Sequence, residues 1–300
     1  MNERGVDVEI PFTKMHGLGN DYIYVNGFEV GLADPSTVAQ RISDRHRGVG
    51  SDGLVLILPS DRADFRMRMW NPDGSESEQC GNALRCIARY VYERGLTDRT
   101  AFTIETGAGQ VKAVLDLLPA PSGGRARVGA VETDLGPPVL ERERIPLQGS
   151  PPAGRVIGER WMVDGDPLTV SAVSMGNPHL VIEVDSVAQA PVTTLGPRLE
   201  HDPRFPRRTN VGFVEVSAPD HLRLRVWERG TGETLACGSG AAAATVAMVL
   251  RGRAHSPLAI DLPGGRLEAA WREGEGVRIK GPAAFICDGV FTLDGATPEA

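Results

Sequence analysis

The sequence predicts an α+β protein built as two pseudo-symmetric lobes, and three observations predict it. At 300 residues the chain is long enough for two domains. Short strand-like runs dominate each half around one central helical stretch, a pattern of α+β lobes rather than a doubly wound sheet. The halves also repeat. Cys80 and Cys237 stand 157 residues apart (237 − 80), and the same ungapped offset carries Gly81 onto Gly238, Asn82 onto Ser239, Glu76 onto Glu233 and Gly19-Asn20 onto Gly176-Asn177. The expected division is an N-terminal lobe of residues 1–134 closed by 282–300, and a C-terminal lobe of residues 135–281.

In chain order, Lys14-Met-His-Gly-Leu-Gly-Asn20-Asp reads as a turn feeding the strand Tyr22–Val25, and Pro35–Arg45 as a helix capped by Asp34 or Ser36. Gly48-Val-Gly50-Ser-Asp-Gly53 spells a dinucleotide fingerprint, but that motif needs a strand before and a helix after it. Here the order is reversed, so the fingerprint is rejected. Strands are expected at Leu54–Leu58 and Phe65–Trp70, then a helix over Cys80–Arg94 that buries Cys86 in packing. Phe102–Thr106 and Val111–Leu117 pair around Gly107-Ala-Gly109, and Pro119–Gly124 is an exposed loop.

The second half opens near Gly136 and has a Pro/Gly loop at Gln148–Gly154. Its strands are expected at Arg160–Asp164, Val170–Met175, Leu180–Val184, Val211–Val216 and Leu222–Trp227, with a short helix at Thr193–Leu199. The Ala-rich run Ala241–Leu250 follows the second cysteine as a packed helix. Leu258–Leu262, Leu267–Trp271 and Val277–Lys280 read as strands, and Ala283–Leu293 as a strand returning to the first half.

A net charge of −7 with no basic stripe argues against nucleic acid. Met1–Ile10 lacks the apolar core of a signal peptide, and Leu235–Leu250 is short of a membrane span, so a cytoplasmic protein without membrane contact is expected. Four cysteines with no CxxC spacing, and no histidine cluster, predict neither a disulfide framework nor a metal site.

One cysteine ahead of a Gly/Ala-rich helix could be simple packing; two at one offset suggest paired chemistry. Thiols at equivalent places in two lobes face each other if the lobes pack around a cleft with approximate two-fold symmetry, and small-molecule sites usually form at domain interfaces. Two equivalent acid/base groups on opposite faces of one carbon suit inversion of a stereocentre: one removes a proton and the other delivers one. A helix N-terminus lowers a thiol's pKa from about 8.5 toward the operating pH. Backbone N–H groups of Gly81-Asn82 and Gly238-Ser239 would stabilise charge building on a substrate carboxylate. With no pyridoxal phosphate or metal signature, these dipoles would replace a cofactor.

Lys14-Met-His-Gly-Leu-Gly-Asn20-Asp, Asn71-Pro-Asp-Gly-Ser, Gln79-Cys80-Gly-Asn, Ser174-Met-Gly-Asn177-Pro-His179 and Glu228-Arg-Gly with Ala-Cys237-Gly-Ser-Gly resemble diaminopimelate epimerase from about Phe12 to Leu293. The resemblance implies cofactor-independent interconversion of LL- and meso-2,6-diaminopimelate, toward lysine and peptidoglycan. It implies two lobes, each a curved, mostly antiparallel sheet around a central helix, and a homodimer. By motif, Cys80 and Cys237 are the acid/base pair, with Cys80 the donor and Cys237 the acceptor in the family's labelling. His179 and Glu228 resemble auxiliary catalytic residues. Asn20, Asn71, Asn177, Asn210, Glu228 and Arg229 resemble substrate contacts, joined by the backbone donors Gly81, Asn82, Gly238 and Ser239. In two departures, Gly53 stands where some relatives carry Gln, and Cys287 where some use Tyr in the dimer contact.

The alternatives are another two-cysteine racemase of the proline racemase or hydroxyproline epimerase type, a cysteine hydrolase using one thiol, and a non-catalytic anion-binding pair of lobes. The first carries Cys-Gly-His at its first cysteine, against which Asn82 argues.

Overall fold

The computed structural model describes residues 5–120 and 124–295. The chain divides into two compact units, Met1–Gly129 with Ala283–Ala300, and Ala130–Pro282. The first unit holds, in order, β1 (Gly5–Gly17), β2 (Asn20–Asn26), α1 (Pro35–Ser43), β3 (Leu54–Leu58), β4 (Phe65–Trp70), β5 (Glu76–Ser77), α2 (Gly81–Glu93), β6 (Ala101–Thr106) and β7 (Gly109–Leu118). β8 (Arg127–Asp134) crosses the division. It is followed by β9 (Ile157–Val163), β10 (Asp166–Ser174), β11 (Pro178–Glu183), α3 (Val192–Glu200), β12 (Asn210–Ala218) and β13 (His221–Glu228). Then come β14 (Gly232–Thr234), α4 (Gly238–Leu250), β15 (Leu258–Leu262), β16 (Gly265–Ala270) and β17 (Arg278–Gly281), and β18 (Ala284–Gly295) ends the described chain.

The α+β expectation holds in each unit. Pairings are antiparallel except β2–β3 and β4–β6 in the first unit and β11–β12 and β13–β15 in the second. The offset of 157 recurs in the ladders: Ile23 pairs Leu54 as Leu180 pairs Val211, and Trp70 pairs Leu54 and Glu76 as Trp227 pairs Val211 and Glu233. Even an ion pair repeats. Arg68 binds both oxygens of Glu76 at 2.7 and 2.9 Å, and Arg225 binds both of Glu233 at 2.6 and 3.0 Å.

Local chemistry explains the helices. Asp34 caps α1 by accepting from the Thr37 N–H at 3.1 Å. Cys80 and Cys237, both extended, are the N-cap residues of α2 and α4. Both helices end in one motif: Gly95 and Gly252 take positive φ (78° and 65°), and Leu96 and Arg253 donate back to the Val91 and Met248 carbonyls. That left-handed turn suits glycine, which has no Cβ to clash. α2 packs on β1, β2 and β7, and α4 on strands β9 to β13, β16 and β17. One core gathers Ile10, Ile23, Ile42, Leu54 and Trp70, another Leu180, Ile182, Leu199, Val211 and Phe213.

The rejected dinucleotide motif does lie between a helix, α1, and a strand, β3. The returning tail strand pairs with β1 from Ala284 to Gly295. Cys86 is fully buried, which pushes its thiol up to about 12. Sequence reading missed β8, whose alternation is broken by Gly129. Of the expected loop Pro119–Gly124, residues 121–123 lie outside the described residues, as do residues 1–4 of the leading segment.

Candidate active site

In the first unit the turn between β1 and β2 lifts Asn20 toward the start of α2. Its Oδ1 accepts from the Cys80 Sγ at 3.5 Å and from Asn82 Nδ2 at 3.2 Å. Its Nδ2 donates to Asp52 Oδ2 at 2.7 Å. Asp52 also accepts from the Asp21 N–H at 3.0 Å and from Arg45 at 2.9 Å. Behind Asn82 lies the fully buried Arg85, whose Nη2 donates to Asn82 Oδ1 at 2.7 Å. Burial pushes the Asp21 carboxyl up, but hydrogen bonds from Arg45 and Lys14 outweigh it and hold the group below its ordinary value. Asn71 makes different contacts: its Nδ2 donates to Ser75 Oγ at 3.0 Å, within the turn that joins β4 to β5.

In the second unit the strand ends converge. β11 and β12 run parallel with His179 beside Asn210. The buried His179 places Nε2 3.0 Å from Asn177 Oδ1. An Nε2–H tautomer fits that contact and leaves Nδ1 a bare acceptor, with no hydrogen-bond partner among the described residues. Burial, with the Arg229 charge adding to it, drives the imidazole down to about 3, so the ring is neutral. Asn210 ties two segments, donating to the Pro178 carbonyl at 2.8 Å and accepting the Arg229 N–H at 3.0 Å. The exposed Arg229 side chain reaches the Arg207 carbonyl at 2.9 Å.

Cys237 is buried at the start of α4, where its sulfur accepts the Gly240 N–H at 3.4 Å and lies 3.6 Å from Ser239 Oγ. A Cβ at Gly240 would sit 3.2 Å from that sulfur, so glycine permits the approach. Glu228, bonded by the Thr234 hydroxyl, faces the same thiol. The expectation that a helix N-terminus lowers the thiol pKa is corrected here. Burial first, and the Glu228 carboxylate second, raise Cys237 well above its ordinary value, outweighing the two hydrogen bonds that favour thiolate.

Gly81, Asn82, Gly238 and Ser239 are the first residues of their helices, whose N–H groups no helical carbonyl accepts. The offset pairs Asn71 with Glu228 and Gly53 with Asn210, so two polar positions of the second unit have different counterparts in the first. Gly53 has φ 150°, and a Cβ there would lie 2.2 Å from the Trp70 carbonyl oxygen and 2.9 Å from the Tyr22 ring. Sequence reading missed Asp52, Arg85 and Thr234, which touch the candidate residues, and Glu200, which holds the turn carrying Glu228 and Arg229 through Trp227 and Gly230. Arg85 could have been found as the residue one helical turn past Asn82.

The fold is shared with solved structures that include an epimerase. A hydroxyproline epimerase from Agrobacterium vitis superposes with a TM-score of 0.67 at 16% identity, covering 97% of this chain and 93% of that one. A phenazine biosynthesis protein of the PhzF family from Bacillus anthracis gives 0.67 at 17%, covering 94% and 99%. The diaminopimelate epimerase family model matches residues 12–116 and 171–286. The diaminopimelate epimerase of Acetivibrio thermocellus is 50% identical over 94% of this chain and 99% of its own length, and that of Geobacillus kaustophilus 48% over 95% and 97%. The chain belongs to the diaminopimelate epimerase family.

Proposed function

We propose that the protein interconverts LL- and meso-2,6-diaminopimelate by proton transfer between its own thiols, Cys80 and Cys237 acting on opposite faces of one α-carbon. The observation that carries this reading is the repeat itself. Each unit presents a cysteine as the N-cap of its central helix at one constant offset, followed by residues whose N–H groups suit a carboxylate. Reversal of the reaction exchanges the two roles, which accounts for a duplicated site better than hydrolysis does.

The electrostatics supply a control. Burial, and Glu228 after it, favour the protonated Cys237. A substrate ammonium beside Glu228 would cancel its charge, leaving the Gly240 N–H and Ser239 hydroxyl to favour thiolate. Neutral His179 offers a buried acceptor, and Asn20, Asn71, Asn177, Asn210 and Arg229 supply amides, carbonyls and a guanidinium for the substrate's second amino-carboxylate end. Family membership supports a role in making lysine and peptidoglycan precursors, a homodimer, a cytoplasmic location, and no nucleic-acid or membrane partner. No helix among the described residues is long and apolar enough to cross a membrane.

The test is solvent deuterium incorporation with LL-diaminopimelate, run on wild type, Cys80→Ala and Cys237→Ala. Wild type should label the product's α-position, and each variant should lose epimerisation. A tenth of the wild-type rate surviving in Cys80→Ala would overturn the two-thiol reading, and proline racemisation in its place would favour the racemase alternative.

A further inference from the structure

Two side-chain amides stand between a group that can only donate and a group that can only accept. Arg85 donates to Asn82 Oδ1, so the Asn82 amide must turn its NH2 outward, onto Asn20 Oδ1. At the other end Asp52 accepts from Asn20 Nδ2, so the Asn20 amide must turn its oxygen inward, toward the Cys80 sulfur. An amide's orientation is fixed by its hydrogen-bond network, and this one agrees from both ends. Arg45 and the Asp21 N–H anchor Asp52 in turn.

We propose that Asp52 is a positioning residue that locks the Asn20 amide with its oxygen on the Cys80 thiol, holding Cys80 in its proton-bearing form. The proposal rests on the reading of Cys80 as an acid/base group and names what sets its resting state. An acceptor oxygen 3.5 Å from sulfur pairs with S–H and opposes S⁻, whereas a flipped amide would present NH2 and favour thiolate. The two helix-cap cysteines thus rest in different surroundings: Cys237 accepts a backbone N–H, while Cys80 donates to a side-chain carbonyl. Titratable or charged groups that interact with Cys80 include Tyr22 and Tyr24 on β2 and Arg85 and Cys86 on α2, and substitution at 52 leaves all four in place.

The test follows alkylation of Cys80 by iodoacetamide against pH, read by peptide mass spectrometry on the full-length unliganded protein, for wild type, D52A and D52N. Both variants remove the same charge, but only D52N keeps an oxygen for Asn20. The alkylation midpoint should fall by at least half a pH unit in D52A and by clearly less in D52N, with kcat/KM at least ten-fold lower in D52A. Equal shifts in both variants would mean a charge effect at a distance, and no shift in either would mean a merely structural residue; each result overturns the proposal. Should D52A not fold, Asp52→Leu takes its place, filling the volume without an acceptor. Because alkylation needs no turnover, failure here is separable from failure of the two-thiol reading, which Cys80→Ala alone decides.

Discussion

Glu200 Oε2 accepts the indole N–H of Trp227 at 2.8 Å, while Oε1 accepts the Gly230 N–H at 3.0 Å. One buried carboxylate therefore grips the turn carrying Glu228 and Arg229 on both sides. Arg208 adds a longer contact at 3.6 Å. Glu200→Ala leaves two donors without their acceptor, at about 1–3 kcal/mol each where they stay dry. We expect a loss of about 2–5 kcal/mol in urea unfolding, with Glu200→Gln losing less, and a raised KM from the loosened turn. A wild-type KM in a destabilised Glu200→Ala would show that the turn is held by other contacts.

Glu228 and Cys237 provide a second measurement. Because the carboxylate raises the thiol, Glu228→Gln should let Cys237 alkylate at lower pH while activity falls. An unchanged alkylation profile would remove Glu228 from the electrostatics of Cys237.

His179 makes a signed prediction for stability. Its ordinary value is 6.5 and its folded value about 3, so between them the unfolded chain binds the proton and the folded chain does not. The stability linked to this group is fully present above pH 6.5 and is lost as pH falls toward 3. The slope from one group is at most about 1.4 kcal/mol per pH unit. Urea midpoints compared at pH 7 and pH 4 should fall less in His179→Gln than in wild type, and parallel curves would refute the assignment.

Gly53 tests the backbone. With φ 150° and the Trp70 carbonyl oxygen 2.2 Å from a built Cβ, Gly53→Ala must move either β4 or the segment leading to β3. We expect a loss of at least about 1–3 kcal/mol, seen as a lower Tm. An unchanged Tm would mean the segment relaxes freely.

Much of this was legible in the chain because it depends on local pattern. Leu54–Leu58, Phe65–Trp70 and Leu258–Leu262 match their observed strands residue for residue, since apolar or alternating runs bounded by turn residues signal strands. The offset of 157, read from a few matched residues, extends to ladder registers, glycine caps and an ion pair. Helix ends shifted by a residue or two, as at α1, where the cap at Asp34 is local but the end at Ser43 is set by packing.

The sequence by itself determined the duplication, the α+β class and the two cysteines ahead of their helices, because spacing and residue type survive any folding of the chain. Tertiary structure alone decided how each thiol rests. Thirty-two residues separate Asn20 from Asp52, and sixty separate Cys80 from Asn20. Burial raised Cys237 against the helix-end effect that the sequence led us to expect. Hydrogen-bond direction and desolvation act through space, and contacts this distant along the chain leave no periodic trace in it.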